Sequence, residues 1–257
     1  MVKEWNIQIP ALTGKEKRRA WVYVPDGAYA EPERRYPALY MFDGQNLFRD
    51  ADATYGKSWG LLTYLTEHSI PLIAAAVECS HHGEEEPCGG RLSEYSPFDF
   101  SDPRWGSIRG RGELTMEYTV REFKPYIDRH CPTKPDRAHT FIGGSSMGGL
   151  MTLYALAEYG DVFSRGAALS PALGFSLKEV KEMVRAADWG GKVLYMDAGT
   201  EELSRRGRTA FADVTALLIK RGARVESRVV PGGFHSEASW ERQIPFFLDT
   251  LFYELEE

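Results

Sequence analysis

The sequence predicts an α/β fold, a mostly parallel central sheet with helices on both faces. Three observations carry this. From residue 113 onward, short apolar runs of strand length alternate with segments of helical period. The runs at 37–42 and 71–77 are almost continuously apolar, as in strands covered on both faces. No Gly/Ser-rich or Pro-rich linker divides the 257 residues, so they are expected to form one domain, 1–257.

The elements follow in order. Residues 5–10 and 19–24 alternate apolar and polar side chains around a Thr13-Gly14-Lys15 turn, which predicts two strands. Residues 26–35 are polar with Pro32 and form a loop. Strand 37–42 ends at Asp43-Gly44. A short helix is expected over 58–68, then a buried strand over 71–77. Residues 114–129 have helical spacing, with Pro125 kinking the helix or limiting its regular length. Strands are predicted at 139–142, 166–170, 192–197 and 225–230. Helices are predicted at 147–159, 177–187, 207–221 and 239–255. Residues 78–112 fit none of this. They are rich in Gly, Pro and acidic residues and carry Tyr95, Phe98, Phe100 and Trp105. A loop of that length in a compact domain is commonly functional, so it is expected to pack over the sheet edge and rim a pocket.

Composition bounds the function. The chain is 43% hydrophobic and 26% charged, with 31 basic and 37 acidic residues and a net charge of −6. A mildly acidic surface disfavours nucleic acid or an anionic membrane as partner. Cys79, Cys88 and Cys131 form no paired framework. No apolar run has the length of a signal core or a membrane helix, which points to the cytoplasm. His81 and His82 with Glu84, Glu85, Glu86 and Cys88 lack paired metal-ligand spacing and are read as a solvated loop; no metal or cofactor is expected.

The chemistry is carried by Gly144-Ser145-Ser146-Met147-Gly148, a G-x-S-x-G pattern between a strand and a helix. Ser146 would sit on a tight bend, and the Met147 N–H at the helix start would face a developing oxyanion. A serine hydroxyl needs a base. His235 is the one histidine after the bend, on a Gly-rich loop following strand 225–230. The acid should follow strand 192–197, where Asp197, Glu201 and Glu202 all qualify by position. A second oxyanion donor should follow strand 37–42, from the N–H of Gly44 or Gln45.

Several segments together resemble the putative-esterase (esterase-D-like) family of α/β-hydrolases, which includes feruloyl esterases, siderophore esterases and S-formylglutathione hydrolases. They are Tyr40-Met41-Phe42-Asp43-Gly44-Gln45-Asn46-Leu47-Phe48, Arg91-Leu92-Ser93-Glu94-Tyr95-Ser96-Pro97, Gly143 to Gly149, Leu169-Ser170-Pro171, Ala198 to Glu202 and Gly232 to Trp240. The resemblance implies an α/β-hydrolase fold with Ser146 as nucleophile and His235 as base. It implies Glu202 as acid, three residues beyond Gly199, and Gln45 as second oxyanion donor. It makes Arg91 and Glu94 loop-stabilising and places the aromatic Trp59 beside the site, as a substrate-binding residue. The expected activity is serine carboxylester hydrolysis of a small-molecule ester through an acyl-enzyme. The alternatives are an acyltransferase with the same triad and a non-catalytic binding protein.

Overall fold

A computed structural model of the chain describes residues 1–31, 33–86 and 89–255. Strand β1 (Val2–Gln8) and helix α1 (Pro10–Thr13) lead into β2 (Lys17–Tyr23). Then come β3 (Ala38–Met41), α2 (Leu61–Glu67), β4 (Ile73–Val77) and α3 (Arg91–Glu94). Strands β5 (Phe100–Asp102) and β6 (Gly106–Ile108) pair as a small antiparallel hairpin. Helices α4 (Gly112–Tyr118) and α5 (Lys124–His130) follow, joined by a π-helical turn, Thr119–Phe123. The remainder alternates: β7 (Thr140–Ser145), α6 (Met147–Glu158), β8 (Arg165–Leu169), α7 (Leu177–Ala186), β9 (Val193–Gly199), α8 (Arg205–Lys220) and β10 (Arg224–Val230). It closes with α9 (Glu237–Glu241) and α10 (Ile244–Phe252).

Eight strands form one sheet in the order β1-β2-β4-β3-β7-β8-β9-β10. The β1–β2 and β2–β4 pairs are antiparallel and the other five are parallel. Successive strand residues alternate between faces, because the pleat has a period of two. Tyr40, Ile142, Ala168 and Met196 pack with Leu150, Val184 and Val214 of α6, α7 and α8. Leu39, Phe141, Ala167 and Tyr195 pack with Leu65 of α2 and Phe247 of α10. Both faces are covered, which explains the uninterrupted apolar runs. This is the α/β-hydrolase fold. Among the described residues no helix is long and apolar enough to cross a membrane.

Two expectations need correction. The final helix is not continuous over 239–255. It breaks between α9 and α10, because Pro245 near the start of α10 has no N–H to offer a preceding carbonyl. The segment 78–112 is not a bare loop: it contains α3 and the β5–β6 hairpin. It also docks by ion pairs rather than by apolar packing alone. Arg18 pairs with Glu94 at 2.5 Å, both almost wholly buried, and Arg19 with Glu78 at 2.6 Å. Pro125 does interrupt helical regularity, by way of the π-helical turn just before it.

Candidate active site

β7 ends at Ser145 and α6 begins at Met147, leaving Ser146 alone on the bend with φ 58° and ψ −119°. An L-residue pays for that conformation, so it persists only where its surroundings enforce it. They do so here. The Ser146 N–H donates to Leu169 O at 2.9 Å, and its carbonyl accepts from Leu150 and Ala172, each at 3.0 Å. The bend also needs room. A Cβ on Gly144 would lie 2.9 Å from the carbonyl carbon of Gly148, so strand and helix could not approach this closely. Ser146 and Met147 both line an open cavity of about 560 Å³ at the C-terminal ends of the central strands. The Met147 N–H, first of its helix, has no intrahelical partner.

Glu202 and His235 line the same cavity. Glu202 Oε2 meets His235 Nδ1. Glu202 Oε1 accepts from Ser170 Oγ at 2.6 Å and from the Gly199 N–H at 2.5 Å. Burial opposes the charge of Glu202, but the hydrogen bonds from His235, Ser170 and Gly199 outweigh it and hold its carboxyl below the usual glutamate range. Ser170 Oγ in turn accepts from Trp240 Nε1 at 2.9 Å, and the Trp240 ring stands edge-on to His235 at 5.1 Å. The imidazole is half exposed, its side chain 46% accessible. Ser146 and His235 open onto the same cavity without a direct hydrogen bond between them.

Of the three carboxylates that qualify by position, Glu202 alone reaches the histidine. Glu201 is exposed and accepts from Thr200 Oγ1. Asp197 is 2% exposed and faces the other way. It accepts from the Ser170 N–H at 2.9 Å and lies 3.0 Å from the Tyr195 hydroxyl. Burial pushes its carboxyl up to about 7.

The segment after β3 holds Asp43 in a left-handed conformation, φ 57°. Asp43 takes a two-pronged contact from Arg91 of α3, at 2.6 and 2.7 Å. Arg91 and Glu94 thus fasten the 78–112 segment to the sheet, as expected of them. Gln45 is buried and is not among the residues lining the cavity; its side-chain amide contacts Cys79 Sγ at 3.2 Å and accepts from the Cys79 N–H at 3.3 Å. Trp59 requires a correction. It lies 2% exposed in the core behind the site, against Trp240 at 5.8 Å and Phe247 at 6.3 Å. Its backbone N–H donates to Asn46 O, and its ring packs into the core of the α2 and α10 face, not among the residues lining the cavity. It buttresses Trp240 and offers no surface to a ligand.

Sequence reasoning did not assign roles to Ser170, Trp240 or Glu237. All three lie in segments that carried the family resemblance, so the signal was present without a role attached. Glu237 is buried and accepts from Asn46 Nδ2 at 3.3 Å, tying the histidine loop to the segment after β3. Burial, with Asp43 adding to it, pushes its carboxyl up.

The histidines of the 78–112 segment have local partners. His81 pairs with Glu78 at 2.9 Å and His82 bridges Glu16 and Glu86, each at 2.5 Å. Cys88 lies outside the described residues. Cys79 and Cys131 carry free thiols. Glu84, Arg91, Leu92 and Trp105 of this segment line the cavity.

Comparison with known proteins agrees with this architecture. The family described as "Putative esterase" matches residues 12–251. An uncharacterized protein of Bacillus subtilis, YbbA, is 23% identical over 189 residues, which is 72% of this chain and 69% of that protein. An IroE-like serine hydrolase from Shewanella oneidensis superposes with a TM-score of 0.73 at 21% identity, covering 99% of this chain and 80% of the other. An S-formylglutathione hydrolase from Agrobacterium tumefaciens superposes with a TM-score of 0.71 at 17% identity, covering 100% and 96%.

Proposed function

The chain belongs to the "Putative esterase" family and is a carboxylic ester hydrolase; from that premise we propose that it cleaves small-molecule esters through a Ser146–His235–Glu202 triad and an acyl-enzyme. The observation that supports this most is the Glu202–His235 contact on the rim of the cavity that holds the strained Ser146 bend.

Glu202 fixes the tautomer. With Nδ1–H held by the carboxylate, Nε2 is the free base. The ring rotates over the cavity to take the Ser146 proton as Oγ attacks the ester carbonyl. The tetrahedral oxyanion is stabilised by the Met147 N–H at the start of α6, with the Gln45 N–H as second donor. His235 then protonates the leaving alcohol, the acyl group stays on Ser146, and water activated by the same imidazole releases the acid. The half-exposed imidazole gives water ready access, which favours hydrolysis over transfer to an alcohol. The whole chain acts as one α/β-hydrolase domain, with 78–112 as an insertion at the site.

The test is hydrolysis of a panel of p-nitrophenyl esters by wild type, Ser146→Ala and Glu202→Gln. Ser146→Ala should lose at least about a thousandfold in kcat and Glu202→Gln about as much, since both act in one unit. Wild-type activity surviving in Ser146→Ala would overturn the reading.

A further inference from the structure

The charges around the cavity are already spent. Arg91 faces the cavity, but its charge is matched by the two-pronged contact with Asp43. Glu84 also lines it, and both its oxygens are occupied. Oε1 accepts from the Leu92 N–H at 2.7 Å, and Oε2 from the Gly90 and Ser93 N–H groups at 3.1 Å each. Glu84 thereby closes the N-terminus of α3. Glu202 is committed to Ser170, Gly199 and His235. Past these groups the wall is apolar. Leu173 and Phe175 come from the segment after β8, Leu203 from just before α8, Phe211 from its second turn, and Trp105 from the tip of the β5–β6 hairpin. Trp105 and Phe175 meet edge to face at 5.8 Å, and Phe175 is backed by Phe100 at 4.9 Å. The hairpin thus builds an aromatic wall.

We infer that this cavity selects neutral esters bearing one bulky apolar group, with Trp105 and Phe175 as specificity-determining residues. The inference rests on the esterase reading above and names the substrate class of that same site. An ester that carries a charge into this wall would shed its water and find no uncommitted counter-charge. An apolar chain or ring would gain from burial against the aromatic wall. The volume of about 560 Å³ lies within the range of sites that enclose a small organic ligand. Arg205, Arg206 and Arg208 are exposed at the start of α8 and are not among the lining residues.

Three substrates of similar chain length test this: p-nitrophenyl hexanoate, mono-p-nitrophenyl adipate and p-nitrophenyl 6-aminohexanoate. The neutral ester should exceed each charged one by at least about tenfold in kcat/KM. In Trp105→Ala and in Phe175→Ala, the ratio of kcat/KM for hexanoate over acetate should fall at least about fivefold, with circular dichroism showing a folded protein. The preference can be read without turnover from the rate of labelling by a hexyl fluorophosphonate and by its ω-carboxylate counterpart. Charged substrates matching the neutral one, or variants that leave the hexanoate-to-acetate ratio unmoved, would overturn the inference. If Ser146→Ala keeps wild-type activity, the esterase mechanism itself fails instead, so the two failures are told apart.

Discussion

At the scale of single residues, the proposed acid, Glu202, is held by a chain of donors. Trp240 Nε1 donates to Ser170 Oγ, and Ser170 donates to Glu202. Ser170 adopts φ 43°, a conformation an L-residue keeps only when something holds it there. We expect Ser170→Ala and Trp240→Phe each to lower kcat about tenfold with little change in KM, because they act by freeing the acid. The double variant should lose less than the product of the two, since both act through one hydroxyl. Strictly multiplicative losses in steady-state kinetics would refute the relay. Asp197 behaves differently. The Tyr195 oxygen lies within 3.0 Å of Asp197 Oδ2 and 3.1 Å of Gln243 Oε1. Asp197 accepts from the Tyr195 hydroxyl, and burial outweighs that bond in setting its carboxyl pKa. Its folded value of about 7 stands above the ordinary carboxyl value of about 4. Below pH 4 the group is protonated folded or unfolded and costs nothing. Above pH 7 it is charged in both states, and the burial penalty, on the order of 4 kcal/mol, is fully felt. Stability from this group therefore falls as pH rises from 4 to 7. Asp197→Asn should gain over wild type progressively from pH 5 to pH 8 in urea unfolding; parallel pH curves would contradict the assignment. Position along the chain could not choose among Asp197, Glu201 and Glu202. The choice depends on which way each side chain leaves the end of β9, and spacing does not encode that direction. Trp59 was misplaced for a similar reason, as its ring packs inward against Trp240 and Phe247, a direction spacing does not encode.

At the scale of elements, the acid and base loops meet through two glycines. A Cβ on Gly199 would lie 2.1 Å from the carbonyl oxygen of Gly233, so any side chain at the end of β9 pushes the histidine loop away. Gly199→Ala should cost about 1–3 kcal/mol of stability and more than tenfold in kcat/KM. Gly191→Ala provides the contrast. Gly191 has φ 69° with open space around it, before the start of β9, so strain there should lower the unfolding midpoint while ester hydrolysis at 25 °C stays at the wild-type rate. Equal activity losses in both variants would deny the loop contact its role. Most elements from β7 to β10 were legible because continuous apolar runs and helical spacing are local signals. The 78–112 segment was not, because its order comes from distant partners. Arg18 and Arg19 lie some 60 to 75 residues before the glutamates they hold, and the carboxylate that closes the N-terminus of α3 is Glu84 rather than a neighbouring cap. The break after α9 was carried by Pro245, yet the apolar spacing continues across it and conceals the boundary.

At the scale of the whole molecule, the site exists only while the sheet does. Ser146, Glu202 and His235 follow β7, β9 and β10, and the loop after β3 completes the rim, so no single supersecondary unit carries the site. The period of each strand reveals that both its faces are buried, but not its neighbours. The exchange that sets β4 between β2 and β3 is a tertiary property without a local sequence signal. The two cores share this sheet as their common wall, so neither face can lose its helices without exposing strands that the other face also needs. Trp189 and the partly buried Trp5 report on the face of α6, α7 and α8, whereas Trp21, Trp59 and Trp240 report on the face of α2 and α10. If residues 1–257 act as one domain, wild type and Trp189→Phe should unfold in urea with fluorescence midpoints that each match the circular dichroism midpoint of the same protein. The calorimetric and van't Hoff enthalpies should then also agree. A Trp189→Phe protein whose remaining fluorescence changes at a separate midpoint from its helical signal would mean that the two faces melt independently. The catalytic loops would then be held together by less than the whole sheet.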